Sequence, residues 1–484
     1  MASTKILPHG ESRTAGAGRA AALDSCTGSA ATRATRKHLN KATKAEQLRE
    51  FREYRWSARI TARRVLRGTR VSFCGNPVSD IVGQGLYYDD KHLSRFSGLA
   101  ACGNVCCCPV CNFKIMSYRQ KQISQALRIC KDRGYGVVFA TLTLRHKKGE
   151  KLEIVRKKLL EIWRNVNKQR AFVKLLDDFG ELGFIRAQEV TESNVNGWHP
   201  HLHSFFIFEH DLTVKQVNEF GARFADLWLK TVDRLNKKRS RVGLDSDYAS
   251  PFVDAIGRPL AAHQVFKRVG LSDPSIEKYS RYCTVRKSVA LPGEDIISRM
   301  SHELADSGTK IGKVKTHNDG TKALHLNYFD MIEILRQIGY TGVSKTDNPC
   351  YVRNSQNSKL LDRLARYGYS VPLLVALCKE YYKGMKGCRS LYWSRVRGRK
   401  ISLREFLDVL DEKTDEELAQ ETYTDPKSHV LTIWDWKKCI SRRPMLPAQL
   451  LTYCDLVKGD PELCRRWCIE HNICITPPNL RRRC

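Results

Sequence analysis

Three histidines at alternate positions, His199, His201 and His203, are the residues of this chain best suited to chemistry. They stand in the run Trp198-His199-Pro200-His201-Leu202-His203-Ser204-Phe205-Phe206-Ile207-Phe208, whose aromatic tail predicts a β-strand. Positions i and i+2 of a strand share a face, so His201 and His203 present imidazoles side by side while Leu202 turns away. Two neutral imidazoles at that spacing make half of a divalent-metal site. An isolated His-x-His is also an ordinary half-buried polar pair, so the case rests on the neighbours. The run Phe184-Ile185-Arg186-Ala187-Gln188-Glu189-Val190-Thr191 predicts the preceding strand, and Asn194-Val195-Asn196-Gly197 predicts the turn that joins the two. Such a hairpin brings Glu189 beside the imidazoles. Glu192 is the runner-up, closer to the turn, and His199 is either a third ligand or an orienting residue. One carboxylate with two imidazoles suits Mg²⁺ or Mn²⁺ and leaves positions open for a phosphate oxygen, as metal-assisted phosphodiester chemistry requires.

A nucleophile is sought in Glu277-Lys278-Tyr279-Ser280-Arg281-Tyr282-Cys283-Thr284-Val285-Arg286-Lys287. Its tyrosines are three apart and share a face of a helix. A phenolate can attack a phosphodiester and hold the 5′ end as a phosphotyrosine, conserving the bond for rejoining. Lys278, Arg281, Arg286 and Lys287 supply cations to hold the strand. A tyrosine in a basic segment is usually structural, and this pair gains weight from the histidines upstream.

The elements that must position these residues follow from composition and pattern. The chain has 484 residues, 42% hydrophobic, and carries a net charge of +32 from 83 Lys and Arg against 51 Asp and Glu. That excess points to a polyanionic partner, most directly nucleic acid. The sequence shows neither an apolar run long enough to span a membrane nor a secretory leader, so the 18 cysteines are read as reduced thiols of a cytoplasmic protein. Residues 1–45 read as a disordered basic arm, and residues 46–133 as a basic helical and Cys-rich segment. In Cys102-Gly-Asn-Val-Cys106-Cys107-Cys108-Pro-Val-Cys111, the C-x2-C knuckle of Cys108 and Cys111 could chelate a structural Zn²⁺, completed by Cys102 with Cys106 or Cys107; Cys74 is a further candidate. Residues 134–325 are expected to form the catalytic domain. There Gly136 to His146 is a central strand, Lys151 to Asp178 a long amphipathic helix and Leu212 to Asn236 another helix. Residues 326–484 are expected to be mainly helical and a candidate DNA-binding region. Cys464, Cys468, His471 and Cys474 are either a second zinc site or, on the favoured reading, one buried face of a helix.

The strand Phe139-Ala140-Thr141-Leu142-Thr143-Leu144, the run His199 to His203 and the Lys/Arg-Tyr segment resemble, in order, motifs 1, 2 and 3 of the HUH endonucleases. Within that superfamily the chain is similar to the Rep proteins of rolling-circle plasmids, which often carry a C-P-x-C knuckle before motif 1 and a Gly-Trp before the histidines, as Cys108-Pro109-Val110-Cys111 and Gly197-Trp198 do here. The resemblance spans roughly residues 100–290. It implies an α+β fold: a central antiparallel sheet with flanking helices, a Cys-rich zinc segment before it and a mainly helical C-terminal region. It also implies origin-specific single-strand nicking and rejoining, with a host helicase and a polymerase as partners. Motif 3 of the family usually reads Lys-Tyr with a Lys three residues on, often with a Glu four before the Tyr, and neither tyrosine here meets both conditions. Tyr282 is the first choice as nucleophile, with Tyr279 as its substitute or a second nucleophile; Glu277 would activate water if one tyrosine acts alone. Single-strand transposases and relaxases use the same chemistry, though relaxases usually place their tyrosine before the histidines. The alternative from a different class is a zinc-bearing nucleic-acid-binding protein without catalysis.

Overall fold

A computed structural model describes residues 44–241, 264–284, 313–316, 322–343 and 349–477, less 80–82, 91–92, 147, 352, 412, 421, 423, 442 and 444. The basic arm expected at the N-terminus lies outside these up to residue 43, as do Arg481 to Arg483. The helices used below are α1 (Lys44–Val65), α2 (Pro109–Asp132), α3 (Leu152–Asn167), α4 (Arg170–Asp178), α5 (Val214–Arg241), α6 (Asp273–Thr284), α7 (Tyr328–Gln337), α8 (Ser355–Arg366), α9 (Val371–Gly384), α10 (Leu446–Leu456) and α11 (Pro461–Glu470). The strands are β1 (Gln84–Tyr87), β2 (Arg95–Phe96), β3 (Gly136–Thr143), β4 (Glu181–Ser193), β5 (Gly197–Phe208), β6 (Val265–Arg268), β7 (Lys313–Thr316), β8 (Lys322–Leu326), β9 (Gly342–Val343), β10 (Pro349–Cys350), β11 (Tyr392–Trp393) and β12 (His429–Ile433).

The main sheet is antiparallel, in the order β6-β3-β5-β4-β8-β7, with β11 added beside β4. Its central strands are covered on both faces, which explains their nearly unbroken apolar runs. Even-numbered Val138, Ala140, Leu142, Leu202, Phe206 and Phe208 pack against α3, α4 and α5, among them Trp163, Phe172, Phe220 and Phe224. Odd-numbered Val137, Phe139, Ile185, Phe205 and Ile207 pack against Ile123 and Leu127 of α2, Ile276 of α6, and Leu403 and Leu407. Burying each such large side chain contributes roughly 1.5–3 kcal/mol. Strand alternation thus decides which residues meet which helical layer, and the odd face is the one that carries the histidines.

The fold is the expected α+β type, with a cysteine cluster ahead of the sheet and a largely helical C-terminal part. Two details differ from expectation. The single helix read over 151–178 is two, α3 and α4, because Gln169 takes an extended backbone and its Nε2 donates to Thr231 Oγ1 of α5, 2.6 Å away. The C-terminal region also supplies strands: β11 joins the main sheet, and β12 pairs with β1 in a small sheet that also holds β2. Helices α7, α8 and α9 share a core with α1 and the cysteine cluster. Among the described residues no helix is long and apolar enough to cross a membrane.

Candidate active site

Hairpin geometry builds the site. Strands β4 and β5 face each other from Glu181↔Phe208 to Ser193↔Gly197, and Glu189 lies directly opposite His201. The three-residue loop between them ends at Gly197, whose φ of 72° is the left-handed value such a loop requires. On the other side of β5, β3 places Thr141 opposite His203 and Thr143 opposite His201, and the pairing stops there. Pro200 therefore lies just past the end of the β3 ladder, where its missing N–H leaves no bond unmade.

Glu189, His201 and His203 offer ligand atoms that all lie within 4.8 Å of one another. The Glu189 Oε2 atom is 3.0 Å from His201 Nε2 and 2.9 Å from His203 Nε2. For an octahedral ion with bonds of 2.0–2.1 Å, adjacent ligands stand about 2.9 Å apart, so the donor set fits Mg²⁺ or a slightly larger ion of the same kind. Thr141 Oγ1 is 3.2 Å from His203 Nδ1 and so fixes that ring's orientation, as an outer-shell partner does. Burial alone would raise the Glu189 carboxyl. The charge of His201 and hydrogen bonds from both imidazoles outweigh it and hold the carboxyl well below the usual range. His199 stands outside the trio. Its Nε2 is 3.3 Å from Thr143 Oγ1 and its ring lies beside that of His146, with centroids 5.1 Å apart. Glu192 has the wrong strand parity and accepts instead from Tyr369, O to O 2.5 Å.

Helix α6 crosses the same face. The N–H of Val269, just before it, donates to Val137 O at 2.9 Å. Ile276 is buried in the odd-face core, and the half-buried Tyr279 ring packs on Phe139 and Phe205 at centroid distances of 5.4 and 6.3 Å. Phe139 in turn stacks on His203, 5.4 Å away with planes 16° apart. One aromatic ring therefore separates Tyr279 from the metal-capable trio, and burial raises its phenol above the ordinary value. Glu277 accepts from Gln120 Nε2 of α2 at 3.0 Å, and Lys278 is exposed. Arg281 and Tyr282 occupy the last turn of α6, with side chains outside the described residues, where Arg286 and Lys287 also lie.

The second metal-capable group comprises Cys74, Cys102, Cys108 and Cys111, all buried. Three of the five cysteines expected in the zinc segment are thus brought together, and Cys74 is the fourth member. Cys106 and Cys107 are buried in the same core but fall outside this group. The reason is local: Asn104 Oδ1 accepts from the N–H of Cys106 and of Cys107, at 3.0 and 2.7 Å, and this turn returns the chain to Cys108 at the start of α2. Hydrogen bonds from Cys102, Cys108 and Cys111 lower the Cys74 thiol against the effect of burial. At the C-terminus, Cys464 and Cys468 are buried on α11, His471 stacks on Trp467 at 3.8 Å, and the Cys474 thiol faces Thr476 O at 3.5 Å. Cys464 and Cys468 thus share a buried face of α11, whereas His471 caps its end and Cys474 lies beyond it; among the described residues the four form no metal-capable group.

Thr141 and Thr143 were not singled out from sequence, although the alternation that places His201 and His203 also places them on the same face of the neighbouring strand.

Residues 98–235 match the family model described as "Replication protein". A Protein rep of Streptomyces lividans is 25% identical over 180 residues, covering 29% of this chain and 40% of that protein. A Protein rep of Bacillus amyloliquefaciens is 27% identical over 249 residues, covering 49% of this chain and 61% of that protein. The chain thus spans less than two thirds of the length of these curated relatives. No solved structure matches it.

Proposed function

Taking residues 98–235 as a domain of the replication-protein family, we propose that this chain initiates rolling-circle replication of a plasmid by nicking one strand at the origin through a phosphotyrosine. The observation that carries the reading is the Glu189 carboxylate oxygen placed 2.9–3.0 Å from two imidazoles on the adjacent strand, on the sheet face that α6 crosses.

Glu189, His201 and His203 would hold Mg²⁺ or Mn²⁺, which when bound withdraws negative charge from the scissile phosphate. Thr141 keeps His203 turned toward that position. The nucleophile is Tyr282. From Val269 beside Val137 to Tyr279 beside Phe139, the chain advances along β3 toward Thr141, which faces His203. Three further residues, about 4.5 Å of rise, carry the helix backbone at Tyr282 in the same direction. The Tyr282 phenol loses its proton and its oxygen bonds to phosphorus. The P–O3′ bond breaks, its electron pair stays on O3′, and O3′ takes up a proton. The 5′ phosphate remains as a tyrosine ester, and reversal by a 3′-hydroxyl rejoins the strand. Tyr279, wedged among Phe139 and Phe205 with a raised pKa, positions α6. In this reading Glu277 would activate water for release, and Lys278, Arg281, Arg286 and Lys287 would hold the strand. A polymerase and a helicase would act from the freed 3′-hydroxyl.

Single-stranded oligonucleotides tiling the DNA beside the gene, incubated with purified protein and Mn²⁺, test this. The expected result is a covalent adduct on denaturing gels, mapped by mass spectrometry to Tyr282 and lost in Tyr282→Phe and His201→Ala. An adduct on Tyr279 would reassign the nucleophile. Tight DNA binding with no adduct on any tile or with any metal would overturn catalysis in favour of a binding protein.

A further inference from the structure

The sulfur atoms of the cysteine tetrad stand at Cys74–Cys111 3.7 Å, Cys102–Cys111 3.7 Å and Cys108–Cys74 3.5 Å. A disulfide would need about 2.05 Å. A tetrahedral ion with Zn–S bonds of about 2.3 Å puts its sulfurs about 3.8 Å apart. The tetrad has that size.

The second observation lies on α1. Arg59 is 4% exposed, and its Nε has no hydrogen-bond partner. Among the described residues no carboxylate pairs with it. Its guanidinium lies over the Trp56 ring, 3.7 Å from the centroid, and against the backbone of Gly75, where a Cβ would overlap it. Gly75 follows Cys74 directly, so the glycine is what lets this cation reach the tetrad. One helical turn on, Arg63 Nε donates to Ser72 O at 2.8 Å and its Nη2 to Asn76 Oδ1 at 2.7 Å, gripping the loop on both sides of Cys74. Its acceptors too are neutral. A buried cation without an anion is costly, and four neutral thiols would not offset that cost.

We propose that Cys74, Cys102, Cys108 and Cys111 bind one zinc ion as a closed tetrathiolate centre, and that Arg59 and Arg63 are its counter-charges. Binding releases four thiol protons and leaves a centre of charge 2−, which the two guanidiniums balance. The start of α2 adds to this, because Cys108 is its N-cap and Cys111 lies in its first turn, where the helix dipole favours negative charge. The ion would tie α1, the Cys74 loop and α2 together. Further along, α2 presents Ile123 and Leu127 to the sheet face that carries the histidines.

The test uses the full-length chain and reads metal rather than nicking. Elemental analysis after dialysis should give one zinc per chain, and exchange with Co²⁺ should give the ligand-field and sulfur-to-metal bands of a tetrahedral S₄ site. The double variant Cys106→Ser/Cys107→Ser should keep both signatures, while Cys74→Ser should lose the S₄ spectrum. Arg59→Met should weaken zinc retention against a chromogenic chelator by about tenfold, in the range seen for outer-shell changes, with Arg59→Lys recovering part of it. Absence of zinc from the wild-type chain, or loss of the S₄ spectrum in the Cys106/Cys107 variant, would overturn the site. An unchanged affinity in Arg59→Met would overturn the counter-charge. Should Cys74→Ser fail to fold, the wild-type spectrum and the Arg59 pair still decide.

Discussion

The cysteine tetrad is buried on all four ligands and offers only sulfur, whereas Glu189 and His201 are half-buried and offer, with buried His203, one oxygen and two nitrogens. A closed all-sulfur set suits an ion that never meets substrate, and an open set of oxygen and nitrogen ligands suits one that must. The two also differ in what brings their residues together. The trio comes from two neighbouring strands in register, while the tetrad needs a loop after α1, a second loop and the start of α2. A divalent ion at the trio should therefore be exchangeable and dispensable for folding, and one at the tetrad should be neither.

The sharpest way to break the comparison is selective metal removal. Mild chelation should abolish adduct formation while leaving circular dichroism unchanged, and added Mn²⁺ should restore it. A mercurial that captures the tetrad's thiols should unfold the α1–α2 region, since structural zinc sites contribute folding energy directly. Unfolding under mild chelation would show that the two sites are not distinct in role. Next in size, Glu189→Gln should lower nicking by about 10³-fold, the scale on which losing transition-state charge stabilisation acts. Its thermal midpoint should stay near wild type, because the amide can still pair with an imidazole.

The trio was legible in the sequence because it needs only strand alternation and a short turn. His201, His203 and Glu189 were all named from those two facts, and the register of the hairpin places them together. The tetrad was legible only in part. The knuckle Cys108–Cys111 is local, but choosing Cys74 over Cys106 and Cys107 depends on the turn at Asn104 and on the grip of Arg63 on the loop around Cys74, neither of which leaves a periodic trace. The pairing of β12 with β1 joins segments more than 340 residues apart (Gln84 to Ile433), and strands this short carry little pattern of their own.

A second contrast lies within β4. Glu189 is held ionised by two imidazoles, whereas burial pushes the Glu181 carboxyl up to about 8, a rise that Arg397 only partly opposes. A carboxyl raised from 4.5 in the unfolded chain to about 8 in the folded one binds its proton more tightly when folded. Its stabilising contribution is thus complete below pH 4.5 and is lost as the pH rises to about 8. The slope is at most about 1.4 kcal/mol per pH unit. Glu181→Gln should flatten that fall and leave the chain more stable than wild type at pH 8, as urea unfolding at several pH values would show. An equal slope in both proteins would mean that Glu181 is not the group responsible.

The smallest effect is expected one shell out from the trio. Thr141 Oγ1, 3.2 Å from His203 Nδ1, acts on the site through the orientation of that imidazole. Thr141→Val keeps the shape and the strand preference but removes the hydroxyl, so Mn²⁺ affinity should fall by about 10–100-fold. At saturating Mn²⁺ the nicking rate should recover, because the ligands themselves remain. Thr141→Ser, which restores the hydroxyl, should bind Mn²⁺ close to wild type. A loss in Thr141→Val that saturating metal does not repair would place Thr141 among the groups that meet the DNA, and would move the edge of the open site onto β3.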